Sequence, residues 1–290
     1  MTRTATRAAD DSGTRYPLSS PLSSTGSLPH GVVCWLAERG VIDFAGGLVV
    51  HATCGAAALA GVLVLGNRRG YGKISFMPHS LPLTILGTGL LWFGWFGFNG
   101  GSALAINEVA ATAFVATHLG GMAGMLMWVV MEWLSRKKAT TLGAASGAIA
   151  GLATITPTAG FVGPNSAILI GCIAGAVCYL AVNFKVRLGL DDSLDVVGSH
   201  GVGGLVGTLC LGVFASTAVN PGGVDGLLHG GSAQFGIQLF GAVVVAVYAF
   251  VVSWVLFKLL DMLLGMRLTE DAEVEGLDSS EHAESAYSAR

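Results

Sequence analysis

Seven apolar runs of roughly bilayer length dominate this chain, and they constrain its fold more than any other feature. They span Phe44–Leu65, Leu81–Ser102, Val109–Leu134, Leu142–Ile155, Ala167–Phe184, Val196–Phe214 and Phe235–Leu264. An α-helix needs about 20 apolar residues to cross about 30 Å of hydrocarbon, and most of these runs supply them. The fourth is short and stops near Pro157. Transmembrane strands would be alternating segments of about ten residues, and none is present. The expected fold class is therefore an all-α polytopic membrane protein with seven transmembrane helices. Composition agrees: 52% of the 290 residues are hydrophobic and 11% charged, against about a quarter charged in soluble chains. The 43 glycines suggest helices packed backbone to backbone, as small residues permit in lipid.

The basic residues orient the spans. Arg68, Arg69 and Lys73 follow the first run, Arg136, Lys137 and Lys138 the third, and Lys185 and Arg187 the fifth, while Lys258 and Arg267 flank the end of the seventh. The alternate loops, at Ala103–Glu108, Thr156–Asn165 and Ser216–Ser232, contain no Lys or Arg. The positive-inside rule then predicts seven crossings with a cytoplasmic C-terminus. Beyond Arg267 comes an acidic tail with seven carboxylates before Tyr287, read from composition as a solvated end or a cytosolic docking segment. The Ser/Thr-rich first thirty residues lack a signal-peptide apolar core and read as disordered. The expected organisation is thus an unmatched segment 1–39, a membrane domain 40–265 and a tail 266–290.

Several function classes have no support. A net charge of −3 does not suit a nucleic-acid binder. There is no HExxH, GxSxG or P-loop motif, so neither an enzyme nor an ATP-driven pump is indicated. The five cysteines show no CxxC spacing and read as packing residues, so no metal site or cofactor is expected.

What remains are ionisable groups at membrane depth, which are costly there and therefore point to function. His51 lies in Asp43-Phe-Ala-Gly-Gly-Leu-Val-Val-His51, and His200 in Asp195-Val-Val-Gly-Ser-His200-Gly. Eight residues, about two helical turns, separate Asp43 from His51, which would put both on nearly one helix face. Asp43 is positioned to cap its helix, with direct proton handling as the alternative, and Asp195 repeats the capping logic before His200. The two histidine spans run in opposite directions, as in an inverted repeat, so both imidazoles can meet near the midplane and share a proton. In the second span, Trp95, Phe98 and Ser102 follow i, i+3, i+7 spacing on one face. That face is either an interfacial aromatic belt or a cation–π cup with a hydroxyl acceptor. His118, mid-span without an acidic partner, reads as a packing residue.

Taken together, Asp43-Phe-Ala-Gly-Gly through Arg68, Gly94-Trp-Phe-Gly-Phe-Asn-Gly-Gly-Ser102, Ser146-Gly-Ala-Ile-Ala-Gly-Leu152 and Asp195-Val-Val-Gly-Ser-His-Gly-Val-Gly-Gly204 resemble blocks of the ammonium transporter (Amt/Mep/Rh) superfamily in the same order. So does the tail from Gly265-Met-Arg-Leu to Tyr287. Cys54 departs from the small Ser, Ala or Gly usual in the signature. The resemblance implies a plasma-membrane homotrimer whose subunits each hold a narrow apolar pore for ammonium or ammonia. His51 and His200 match the paired pore histidines, Phe98 a gate phenylalanine, and Trp95 a pore-lining tryptophan. Ser102 matches the recruitment hydroxyl, and Asp43 the aspartate beneath that site. It further implies a PII-type nitrogen signal protein as a partner at the cytosolic face. Finally, it implies that these seven spans correspond to the last seven of an eleven-helix fold. A chain shortened in this way has an alternative reading, as a non-conducting subunit that partners full-length transporters or a signal protein.

Overall fold

The computed structural model describes residues 32–285, and among them every regular element is helical. Six helices are long and apolar enough to cross a membrane: Gly47–Leu65, Leu81–Gly101, Glu108–Arg136, Pro164–Arg187, Val197–Phe214 and Gln234–Leu264. Each lies within three residues of an expected run at either end. We label α2 Thr53–Leu65, α3 Leu81–Gly101, α4 Glu108–Arg136, α5 Thr141–Ile155, α6 Pro164–Arg187, α7 Gly203–Phe214 and α8 Gln234–Leu264. α5 is the fourth expected span, and at 15 residues it is shorter than the others. The reason is its position: it is wrapped by α3, α4, α6 and α7, and from Ala150 to Ile155 every residue is buried.

Local chemistry sets the helix starts. The side chains of Ser80, Asn107 and Thr140 accept hydrogen bonds from the N–H groups of Leu83, Ala110 and Gly143. Such caps typically contribute about 1 kcal/mol each. Between helices, lipid supplies little hydrophobic drive, so close packing must hold the bundle. Glycine makes it possible along the α4–α5 seam. A Cβ built on Gly124 would sit 2.7 Å from Gly151 Cα and from Gly147 O, so any side chain there would force the helices apart.

Two segments depart from the expected organisation. Residues 32–38, placed in the unmatched N-terminal segment, form a helix, α1, whose Leu36 packs into a core cluster with Val41, Leu48 and Val245. The rest of that segment, 1–31, lies outside the described residues. In the tail, Glu270–Glu275 (α9) and Leu277–Ser280 (α10) are helical rather than irregular, with Thr269 capping the first.

Candidate functional site

Both histidines sit in π-helical turns that open their spans, Gly47–Ala52 ahead of α2 and Val197–Val202 ahead of α7. π-turns are rare and concentrate at functional sites. The first is anchored by Asp43, but not through the shared helix face expected from spacing. The chain from 43 to 46 is not helical, and Gly46 adopts a left-handed φ of 110°, which folds Asp43 back over the helix start. Its two oxygens then accept from the N–H groups of Gly46, Gly47, Leu48 and Val49 at 2.6–3.3 Å. Capping is therefore what Asp43 does in this structure. The approach is steadied by Gln238, a buried residue that sequence reading passed over. Its amide accepts from Ile42 N–H at 3.0 Å and donates to Ile42 O at 2.7 Å.

The second π-turn corrects the reading of Asp195. The cap is Asp192, whose carboxylate accepts from Val196 and Val197 N–H at 3.1 and 2.8 Å. Asp195 instead takes a left-handed φ of 57°, accepts Ser199 N–H through its carbonyl at 2.8 Å, and pairs its carboxylate with Lys185. The missed signal was spacing: Asp192 precedes His200 by eight residues, as Asp43 precedes His51.

The two turns bring the imidazoles together. His51 Nδ1 and His200 Nδ1 lie 3.1 Å apart, and the rings stack with centroids 5.2 Å apart. A hydrogen bond between two Nδ1 atoms couples the tautomers, because one must donate while the other accepts. The donor ring then has a bare Nε2 and the acceptor ring a protonated one, an asymmetry that reverses only if the shared proton crosses while the donor ring's Nε2 gains a proton and the acceptor ring's Nε2 loses one. His51 is 2% exposed, and its Nε2 is buried without a hydrogen-bond partner among the described residues.

Trp95 and Phe98 converge on the same ring. Trp95 stacks on His51 at 5.3 Å, Phe98 lies 6.4 Å from it, and the two aromatics meet edge to face at 5.8 Å. Trp95 is fixed by its indole N–H, which donates to Thr156 Oγ1 at 2.9 Å. Its burial and this bond make it an interior residue rather than part of a lipid-facing belt. Ser102 donates to Phe98 O at 2.8 Å, which leaves the hydroxyl lone pairs free to accept from another donor. Ser102 and Asp43 line one recess of about 340 Å³, together with Phe44, Val49, Phe161 and Asn220. His118 is exposed on the outer face of α4 beside the rings of Trp92 and Phe96, at 5.7 and 5.9 Å. It takes no part in the histidine pair. Cys178 and Cys210 are buried free thiols, and no His/Cys/Asp/Glu group among the described residues has metal-binding geometry.

At the basic end of the bundle, a second polar cluster ties the segments together. Arg68 Nε and Nη2 donate to the two oxygens of Asp191 at 2.8 and 2.6 Å, and Arg68 N–H adds a third bond at 2.8 Å. This guanidinium holds the Asp191 carboxyl below the usual carboxylate range. Tyr71 donates to Leu190 O at 2.8 Å. From the tail, Glu273 accepts from Arg69 N–H and pairs with Arg267, which also donates to Leu65 O at the end of α2.

The architecture and the site define a multi-pass helical membrane protein with two imidazoles joined in its interior. A profile of the Ammonium Transporter Family matches residues 26–287, so the chain belongs to that family. The match begins at 26 and so takes in α1. The chain is 48% identical over 253 residues to the ammonium transporter Amt1 of Archaeoglobus fulgidus, covering 87% of this chain and 64% of that protein. It is 46% identical over 254 residues to the ammonium transporter of Bacillus subtilis, covering 87% and 62%. Among solved structures, Saccharomyces cerevisiae Mep2 superposes with a TM-score of 0.77 at 39% identity, over 82% of this chain and 55% of that one. A protein described as a sensor Amt protein superposes with a TM-score of 0.78 at 33% identity, over 85% and 62%. The two sequence relatives are named ammonium transporters, and the chain spans about three fifths of their length.

Proposed function

We propose that this chain conducts ammonium-derived nitrogen across a membrane through an apolar path whose polar line is the His51–His200 pair. The observation that carries the reading is the 3.1 Å contact between the two Nδ1 atoms. Ammonium is a small cation, and an apolar path cannot replace its hydration shell. The recess holding Ser102 and Asp43 offers a hydroxyl acceptor; Phe98 lies one helical turn before Ser102 and meets Trp95 edge to face. A cation over such rings gains about 0.5–2 kcal/mol. Ammonium recruited there releases a proton and becomes ammonia. The neutral molecule then passes the imidazoles, hydrogen-bonding to the free Nε2 of His51. The proton stays behind or crosses along the Nδ1–Nδ1 bond, each ring changing tautomer as it passes.

In the same reading the bundle makes seven crossings, the last seven of the family's eleven, with the C-terminus in the cytoplasm of a plasma-membrane protein. The basic residues clustered at one end support that orientation. Assembly as a homotrimer is supported by His118, because an ionisable side chain on an outer face at membrane depth is costly against lipid. A PII-type signal protein at the tail completes the reading.

The alternative, a non-conducting subunit that partners full-length transporters or a signal protein, is favoured by one observation. The segment bearing His51 is open along its flank, with Val49 44% and Val50 41% exposed. Beside it an apolar groove of about 290 Å³ runs past Ala52, Gly55, Gly201 and Phe250. Uptake of labelled methylammonium, with and without a membrane potential, separates the readings. Transport predicts uptake by the wild-type chain and altered potential dependence in His51→Ala, where the relay is lost and a leak remains. No uptake by the wild-type chain above background would favour the non-conducting subunit.

A further inference from the structure

The contact between the histidine segments has little side-chain relief at its crossing point. Where they cross, the backbones meet directly: a Cβ on Gly55 would lie 2.1 Å from Gly201 Cα. These two glycines allow the approach but offer no side chains of their own to interdigitate at that point; away from it, Leu205 packs against the cluster of Leu48 and Ala52. Yet a hydrogen bond between ring nitrogens survives only between about 2.7 and 3.2 Å. A slip of about 1 Å along the axis would break it.

A register lock does exist, at the far end of the same two segments. Arg68 lies 17 residues beyond His51; α2, 13 residues and about 20 Å long, spans most of that distance and ends at Leu65, with Gly66 and Asn67 between it and Arg68. Asp191 precedes the His200 segment and is adjacent to Asp192, the residue that caps it. The fork between Arg68 and Asp191 therefore links the end of one histidine segment to the start of the other. It is planar and two-pronged, and the Asp191 side chain is 2% exposed. A bidentate guanidinium–carboxylate pair resists both sliding and rotation, whereas an ammonium would supply only a point charge. Phe76, whose ring lies 4.2 Å from the Arg68 guanidinium carbon, limits the guanidinium on another side. We infer that Arg68 and Asp191 are positioning residues for the histidine pair, fixing from a distance the register in which the Nδ1 atoms meet.

This inference rests on the pair being the working feature of the chain, but its test does not require transport. The chain is labelled with ¹⁵N at histidine, reconstituted in nanodiscs, and the nitrogen–nitrogen coupling across the Nδ1–H···Nδ1 bond is measured. The wild type gives a resolved coupling. Arg68→Lys keeps the charge but loses the fork, and Asp191→Asn keeps the shape but loses one acceptor. In both, the coupling falls below detection while helical content is unchanged. Arg69→Lys, one residue along, retains it. Should Arg68→Lys and Asp191→Asn both keep the wild-type coupling, or Arg69→Lys lose it equally, the inference is overturned. Because the readout needs no flux, a non-conducting chain would leave this test intact.

Discussion

The two histidine segments share a plan, and they differ in what neutralises the aspartate that starts each one. Both place an aspartate eight residues ahead of the histidine, and both open with a π-turn. Asp192 accepts two backbone N–H groups and has Lys185 3.9 Å away, with the Arg68–Asp191 fork next door. Asp43 accepts four N–H groups, and among the described residues no lysine or arginine pairs with it. One end is thus electrically closed by fixed cations. The other holds its carboxyl group with backbone N–H groups alone, beside the recess that contains Ser102. The near-symmetric frame thus carries unequal counter-charge at its two ends.

The largest perturbation should come from the crossing point itself. A Cβ at Gly55 would meet Gly201 Cα at 2.1 Å, whereas one at Gly201 would meet Gly55 Cα at 3.0 Å. Gly55→Ala should therefore cost about 3 kcal/mol or more, at the upper end of overpacking effects, and Gly201→Ala distinctly less. Thermal unfolding of the two variants in detergent checks the order, and equal losses would contradict the asymmetric geometry. Next come the caps. Asp43→Ala removes the acceptor for four N–H groups and should cost about 3 kcal/mol, while Asp192→Ala, which removes that for two, should cost about 1–2 kcal/mol. Denaturation of the pair of variants sharpens the contrast between the segments.

Smaller effects follow. Trp95→Phe keeps the ring against His51 but removes the bond to Thr156, so about 1 kcal/mol of stability should go. The smallest change is acid-dependent and confined to the cation-rich end. Arg68 depresses the folded-state pKa of Asp191, so the fork contributes stability above the unfolded carboxylate value of about 4 and loses it as pH falls through the lower folded value. The difference in melting temperature between wild type and Asp191→Asn should accordingly be constant near neutrality and shrink below about pH 4. A difference that grows on acidification would reverse the assigned sign.

Much of this was legible in the sequence, for identifiable reasons. The spans could be bounded closely because each is an apolar run closed by charge, turn residues or a cap such as Asn107. The histidines stood out because ionisable groups are rare in such runs, and Trp95 and Phe98 because helical spacing put them on one face. Asp192 did not, because three aspartates crowd residues 191–195 and the one nearest the histidine drew the capping role. The π-turns left no trace, since Gly47–Ala52 reads as an ordinary apolar helix start. Likewise the Asp191 fork and the Gln238 brace join residues 123 and 196 positions from their partners, a pairing that only the tertiary fold reveals. Helix α1 escaped because seven residues are too few to show a period.

The most direct test of the central claim is a pulse of ammonium applied to liposomes containing the purified chain, read with a trapped pH dye. Ammonia that enters takes up protons and makes the lumen alkaline. Wild-type vesicles should alkalinise faster than empty ones, and the double variant His51→Ala, His200→Ala should lose proton-coupled control of that flux. If wild-type vesicles match empty ones, or the double variant matches the wild type under every imposed potential, the joined imidazoles are not the working element of this protein.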